Sequence, residues 1–391
     1  MQKCSIVIDL GFGDAGKGLT TDYLASRHPD RTLVIRFSGG HQVGHTVTTD
    51  SFTHTFSNFG SGTLRGVPTF YSQHTTLFPP AIAWESQALS SYRPQLFLHP
   101  LAMVTTAYDI AYNRAVEKQR QYGSCGLGFG TTIARNREEV YFFANDLQFP
   151  WIIKQRLQSI SRYYQQQLKR QTDPQLTTLY QQELKDYEDE QFVASCTAIR
   201  QLFKIVQLKS LLPCYQHFIF EGSQGIMLDT RHGVHPHTTW SNTTAQNALQ
   251  LITENWAERP DIDIYYVTRC YQTRHGNGPM SNKETVSLQN HEHEANVENE
   301  FQGKFRVAAL DVQLLSYALS CDVIYHQNFS PKRHLLITCL DQLPGFKVEK
   351  LLSELPDIFT HIYGSYGPKA TDVRLLKEGV IIDPKRKVGI Q

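Results

Sequence analysis

The sequence predicts an α/β fold built on a mainly parallel central sheet, and three observations carry that prediction. Residues 5–10 form a short apolar, β-branched run that ends in glycine and is followed by a helical stretch over about 17–26. A second run at 32–37 ends in a Gly-His loop, so strand, loop, helix and strand follow one another as crossover connections require. Further buried-strand runs at 218–220, 262–271 and 335–340 each open into loops rich in Gly, His, Thr or Asp. In open α/β sheets, ligands sit at such carboxyl-end loops.

Residues 149–212 differ in composition, being rich in Gln, Tyr, Lys and Glu. They read as two or three amphipathic helices broken near Asp173-Pro174, inserted into a single domain over 1–391. Residues 291–300 (HEHEANVENE) read as an acidic, solvated loop, with a metal-binding tract as the lesser reading.

The 391 residues suffice for a sizeable core. Lys plus Arg total 38 against 37 for Asp plus Glu, so the overall charge points to neither nucleic acid nor a membrane surface, and any anion site must be local. The seven cysteines are scattered with no C-x-x-C pair, which argues against a disulfide framework or zinc site and for a reducing compartment. The opening apolar run is too short for a signal peptide and no stretch approaches a membrane span, so a cytoplasmic location is expected.

The strongest motif is Gly11-Phe12-Gly13-Asp14-Ala15-Gly16-Lys17-Gly18, a G-x-x-x-x-G-K loop between a strand and a helix. Glycines let backbone N–H groups approach phosphate oxygens, the helix N-terminus adds positive potential, and Lys17 adds a point charge. The residue after the lysine is Gly18, where such loops place the Ser or Thr that holds magnesium. Asp14 is the nearest replacement oxygen ligand, or a proton acceptor.

With three further strings, this loop resembles the adenylosuccinate synthetase family. They are Gly39-Gly40-His41-Gln42-Val43-Gly44-His45-Thr46, Phe220-Glu221-Gly222-Ser223-Gln224-Gly225-Ile226-Met227-Leu228-Asp229 and Thr273-Arg274-His275-Gly276-Asn277-Gly278-Pro279. The resemblance implies a homodimeric, GTP-dependent ligase that phosphorylates the 6-oxygen of a purine nucleotide, inosine monophosphate or an analogue. An amine, aspartate or another donor, then displaces that oxygen. ATP stays open as the phosphoryl donor. By the same resemblance Asp14 takes the purine N1 proton and His45 acts on the oxygen receiving phosphate. Mg2+ is held by Asp14 and the carbonyl of Gly44. Gly13, Gly16, Lys17, Gly18 and Thr46 hold the triphosphate, while Asp341, Ser365, Gly367 and Pro368 lie around its base. Gln42, Ser124, Cys125, Gln224, Thr239 and His275 face the purine nucleotide, and Lys304 and Arg306 fall in the amine-site loop. The family arginine that reaches a partner subunit's phosphate has Arg135 and Arg137 as nearby candidates.

The departures from the family cluster. Ala15 stands for Glu, Cys125 for a phosphate-binding Thr and His275 for Val. In the guanine motif, Thr338-Cys339-Leu340-Asp341 keeps the Asp without the Lys. After Asn299-Glu300-Phe301 the loop is about four residues shorter by comparison with the family, and Lys304 and Arg306 are what remains of an Arg cluster. Two rival readings follow: a small-molecule kinase or NTPase without the amine step, and a non-catalytic nucleotide-binding regulator.

Overall fold

The computed structural model describes residues 2–378 apart from 172, 291–293, 295, 297–300 and 327. Most of the acidic segment at 291–300, including Asn299 and Glu300, therefore lies outside the described residues. Ten strands form one sheet: β1 (Lys3–Asp9), β2 (Thr32–Arg36), β3 (Thr69–Tyr71), β4 (Leu96–Leu98), β5 (Phe203–Ile205), β6 (His217–Glu221), β7 (Asp261–Arg269), β8 (Lys332–Thr338), β9 (His361–Ser365) and β10 (Val373–Glu378). Their spatial order is β10-β9-β8-β7-β1-β6-β2-β3-β4-β5. All pairs are parallel except β9 with β10. The central strands are apolar throughout because helices cover both faces: every residue of β2 is buried, as is all of β1 after Lys3.

The run at 262–271 is divided rather than continuous. β7 stops at Arg269, Cys270 donates its N–H to the Thr338 carbonyl at 3.1 Å, and the chain leaves the sheet as Tyr271–His275. That segment pairs antiparallel with Phe305–Ala309, placing His275 opposite Phe305. A second ribbon, His45–Thr48 with Thr53–Phe56, packs over helix α1 (Lys17–Ala25).

Between 149 and 212 the chain forms helices Pro150–Arg170, Pro174–Glu183 and Asp189–Ala198. Asp173 caps the second, accepting the Gln175 N–H at 2.9 Å, and Pro174 fills its first turn. The first helix buries Ile153, Leu157, Ile160, Tyr164 and Leu168 at helical spacing. The segment is not wholly helical, because β5 returns to close the sheet's edge beside β4. Two large apolar clusters result, one along the central strands and one joining β3 and β4 to these helices. Among the described residues no helix is long and apolar enough to cross a membrane, and all seven cysteines are free.

Candidate active site

The carboxyl ends of β1, β2, β6, β7 and β8 open onto a cavity of about 1150 Å³. Four of these strands end in a charged residue, and each of those residues contacts a segment that borders the cavity. Asp9 accepts the Gly11 and Ala15 N–H groups at 2.8 and 2.9 Å and pairs with Lys17 Nζ at 3.0 Å, all beneath the glycine loop. Arg36 donates to the Gly40 carbonyl at 3.0 Å and so anchors the loop carrying His41 to His45. Glu221 lies 3.0 Å from His45 Nδ1, and Arg269 donates to the Asp14 carbonyl at 2.7 Å.

Asp14 adopts φ 61° inside the glycine loop, between Gly13 and Gly16 at φ 98° and 100°. Its carboxylate stays partly open to the cavity and lies 3.4 Å from His275 Nε2. His45 is buried against Glu221, while its Nε2 has no hydrogen-bond partner. Burial holds the His45 pKa below the usual imidazole value; Glu221 opposes this, and Lys17 and Arg36 reinforce it. Burial alone would raise the Glu221 carboxyl, but His45 and Arg36 keep it below the ordinary range. The Nδ1–H therefore faces a carboxylate, and Nε2 is the free working edge.

Gln42 presents an amide whose oxygen and nitrogen both lack partners, and Gln224 Oε1 is likewise unpaired. Buried polar atoms left open in this way fit a hydrogen-bonding ligand. His41, whose ring lies tilted beside that of Phe78, has neither ring nitrogen paired, and burial with the nearby Arg36 lowers its pKa to about 3. Ser124 Oγ accepts from Asn113 Nδ2 at 3.0 Å, and burial pushes the Cys125 thiol up to about 11, leaving it a neutral, weak donor.

The cavity brings together Gly13, Asp14, Gly16, Lys17, Gly18, Gln42, Gly44, His45, Thr46, Ser124, Cys125, Gln224, Thr239, His275, Asp341, Gly367 and Pro368. Ser365, Lys304 and Arg306 are not among its lining residues. Ser365 is buried and donates to the Gly367 carbonyl at 2.6 Å, which shapes the turn carrying Gly367 and Pro368. Lys304 is exposed, and Arg306 donates to the Gly278 carbonyl at 2.5 Å, bracing the turn after His275. Arg135 is wholly buried in a two-point pair with Asp109 at 2.8 and 3.2 Å, so it cannot reach a partner subunit. Arg137 is exposed, over the Trp240 ring.

A family model described as adenylosuccinate synthetase matches residues 6–351. The chain belongs to the adenylosuccinate synthetase family. Relatives include the adenylosuccinate synthetases of Hydrogenovibrio crunogenus, 28% identical over 295 residues covering 72% of this chain and 63% of that protein, and of Thermoplasma acidophilum, 26% identical over 336 residues covering 82% and 73%. The chain thus spans just under two thirds of the first relative. The fold is also that of Plasmodium falciparum adenylosuccinate synthetase, at TM-score 0.68 and 17% identity over 95% of this chain and 99% of that one. The succinoaminodeoxyadenylate synthetase of cyanophage S-2L, bound to dGMP and dATP, superposes at TM-score 0.65 and 16% identity over 96% and 95%.

Sequence reasoning missed Asp9, Arg36 and Arg269, and it named Glu221 within a motif without giving it a role. The available signal was a charged residue ending an apolar strand run, next to a glycine or turn.

Proposed function

We propose that this protein is a nucleoside triphosphate-dependent carbon–nitrogen ligase that phosphorylates the 6-oxygen of a purine nucleotide and lets an amine displace it. One observation carries the reading: the Asp14 carboxylate, Lys17 and the free Nε2 edge of His45 face a single cavity large enough for a nucleotide. Asp14 accepts the purine N1 proton, which makes the ring oxygen nucleophilic. His45, whose protonated form Glu221 stabilises, carries a proton on Nε2 to that oxygen as its charge changes. Lys17 and the loop N–H groups neutralise the phosphates.

Asp14 and the Gly44 carbonyl fit a hard cation by their oxygen chemistry. Among the described residues no cluster of three or more acidic, His or Cys metal ligands exists. Magnesium bound there would supply charge neutralisation to the transferring phosphoryl group. GTP is the favoured donor through Asp341, whose carboxylate can accept both N–H groups of a guanine edge. A homodimer, with Arg137 as the remaining candidate to reach the partner's cavity, completes the proposal.

A thermal-shift screen of purine nucleotides, triphosphates and amines with Mg2+, followed by mass spectrometry of the products, tests the reading. Asp14→Ala and His45→Ala abolish phosphoryl transfer while leaving the chain folded; full activity in either refutes the assignment. The exposure of Lys304 and the engagement of Arg306 with Gly278 favour one rival, a kinase or NTPase without the amine step. Phosphate release with no amine consumed would establish it.

A further inference from the structure

Asp14 is held from two sides by a closed ring of side chains that reaches into the acidic segment. Arg269 Nε donates to the Asp14 carbonyl at 2.7 Å, and its Nη1 donates to Glu294 Oε2 at 2.5 Å. Glu294 Oε1 accepts the Asn296 side-chain Nδ2 at 2.6 Å and the Asn296 backbone N–H at 3.1 Å. With its amide nitrogen so used, Asn296 turns Oδ1 toward His275 Nε2 at 3.4 Å, and the same Nε2 stands 3.4 Å from Asp14 Oδ2. Both neighbours of Nε2 are acceptors, so in the neutral ring Nε2 carries the hydrogen, which agrees with a His275 Nδ1 that is buried and unpartnered.

The ring is built on rigid supports. Arg269 ends β7 and lies over the Tyr271 and Phe305 rings, and His275 packs on Phe305 across the ribbon. Asp14 is a non-glycine residue in the left-handed region, where a side chain costs energy unless its surroundings fix it. Arg269 also carries its charge into a mostly buried place, and Glu294 is the carboxylate that balances it there.

We infer that Glu294 and Asn296, acting through Arg269 and His275, are positioning residues that aim the Asp14 carboxylate at the purine. The inference rests on the proposed role of Asp14 as the proton acceptor. It assigns Glu294 and Asn296 to the surroundings of the catalytic carboxylate and gives His275 a purpose of its own, standing 3.4 Å from Asp14 Oδ2 and limiting how that carboxylate can turn. A carboxylate misplaced by about 1 Å loses as much as about 100-fold in rate while nucleotide binding through the other cavity residues persists.

The test measures phosphate release with GTP, inosine monophosphate and Mg2+ for Asn296→Ala, Asn296→Asp, Glu294→Ala and Glu294→Gln, each alone and combined with Asp14→Asn. Asn296→Ala and Glu294→Ala are expected to lower kcat about 10- to 100-fold with KM within about threefold. Asn296→Asp, which replaces the amide that donates to Glu294 with a second carboxylate, is expected to lose at least as much as Asn296→Ala. In the Asp14→Asn background neither change lowers the residual rate further. A crystal structure of Asn296→Ala is expected to show the Asp14 carboxylate turned from its present position. Wild-type kcat in both alanine variants, an unmoved Asp14 in that crystal, or additive losses on top of Asp14→Asn would each overturn the clamp while leaving the ligase reading intact. An Asp14→Asn variant as active as wild type overturns the ligase reading and the clamp together.

Discussion

Glu221 and His45 meet from different strands at 3.0 Å, which sets a carboxylate behind a buried imidazole. Burial disfavours the charged ring, and the carboxylate behind Nδ1 recovers part of that loss. Glu221→Gln keeps the shape and removes the charge. The expected outcome is a kcat reduced about 100-fold or more with nucleotide binding retained, read by steady-state kinetics and by titration of a fluorescent nucleotide. His41 gives a separate, stability-based prediction. Its folded pKa of about 3 lies below the ordinary 6.5, so the unfolded chain takes up the proton first. Its contribution to stability is fully present above about pH 6.5 and is lost as pH falls toward about 3, at up to about 1.4 kcal/mol per pH unit. Urea unfolding between pH 7 and pH 4 should show this slope, and His41→Phe should flatten it.

At the scale of elements, the glycine loop departs from its usual form for a packing reason. A Cβ on Gly18 would lie 2.9 Å from the Thr46 carbonyl and 3.1 Å from His45 Cβ. The His45–Thr48 ribbon lies so close over α1 that the Ser or Thr of an ordinary loop has no room. The helix–ribbon approach that brings His45 to the site thus excludes the usual metal-binding hydroxyl. The other side of the molecule is knit by Arg135, which joins helix Phe129–Arg137 to Asp109 of helix Ala107–Arg120, where Tyr164 of helix Pro150–Arg170 also donates at 2.7 Å. Both charges of the pair are fully buried. Arg135→Ala strands the Asp109 carboxylate and is expected to cost about 3–5 kcal/mol in denaturant unfolding, with nucleotide affinity of the remaining folded protein unchanged. A loss below about 1 kcal/mol would show that water reaches the pair and that the helices are held by apolar contacts instead.

For the whole molecule, the cavity draws walls from the central sheet and from the helical side, including Tyr112, Gln171 and Leu176 as well as Lys17 and Asp341. Ligand binding should therefore stabilise both parts together. At a concentration about 100-fold above Kd, a bound nucleotide adds about 2.7 kcal/mol, read as one concerted upward shift in Tm. Two transitions, only one of them responding, would show that the walls unfold independently. The sequence by itself determined the parallel sheet, because strands covered on both faces must be apolar along their whole length, and it located the glycine loop, because glycines and a lysine between a strand and a helix form a local pattern, whereas His45 and Gln224 were marked only by their place in strings that resemble the family. It also marked the helix break at Asp173, where a cap and a proline act within a few residues. Only the tertiary structure decided that Arg135 is a buried strut while Arg137 is exposed, that β5 returns to the sheet, that Lys304 and Arg306 stand apart from the cavity, and that Asp9 meets Lys17, Glu221 meets His45 and Arg269 joins the Asp14 carbonyl to Glu294. Those outcomes depend on which distant side chains meet, and partners separated by up to 255 residues in the chain leave no local pattern to read.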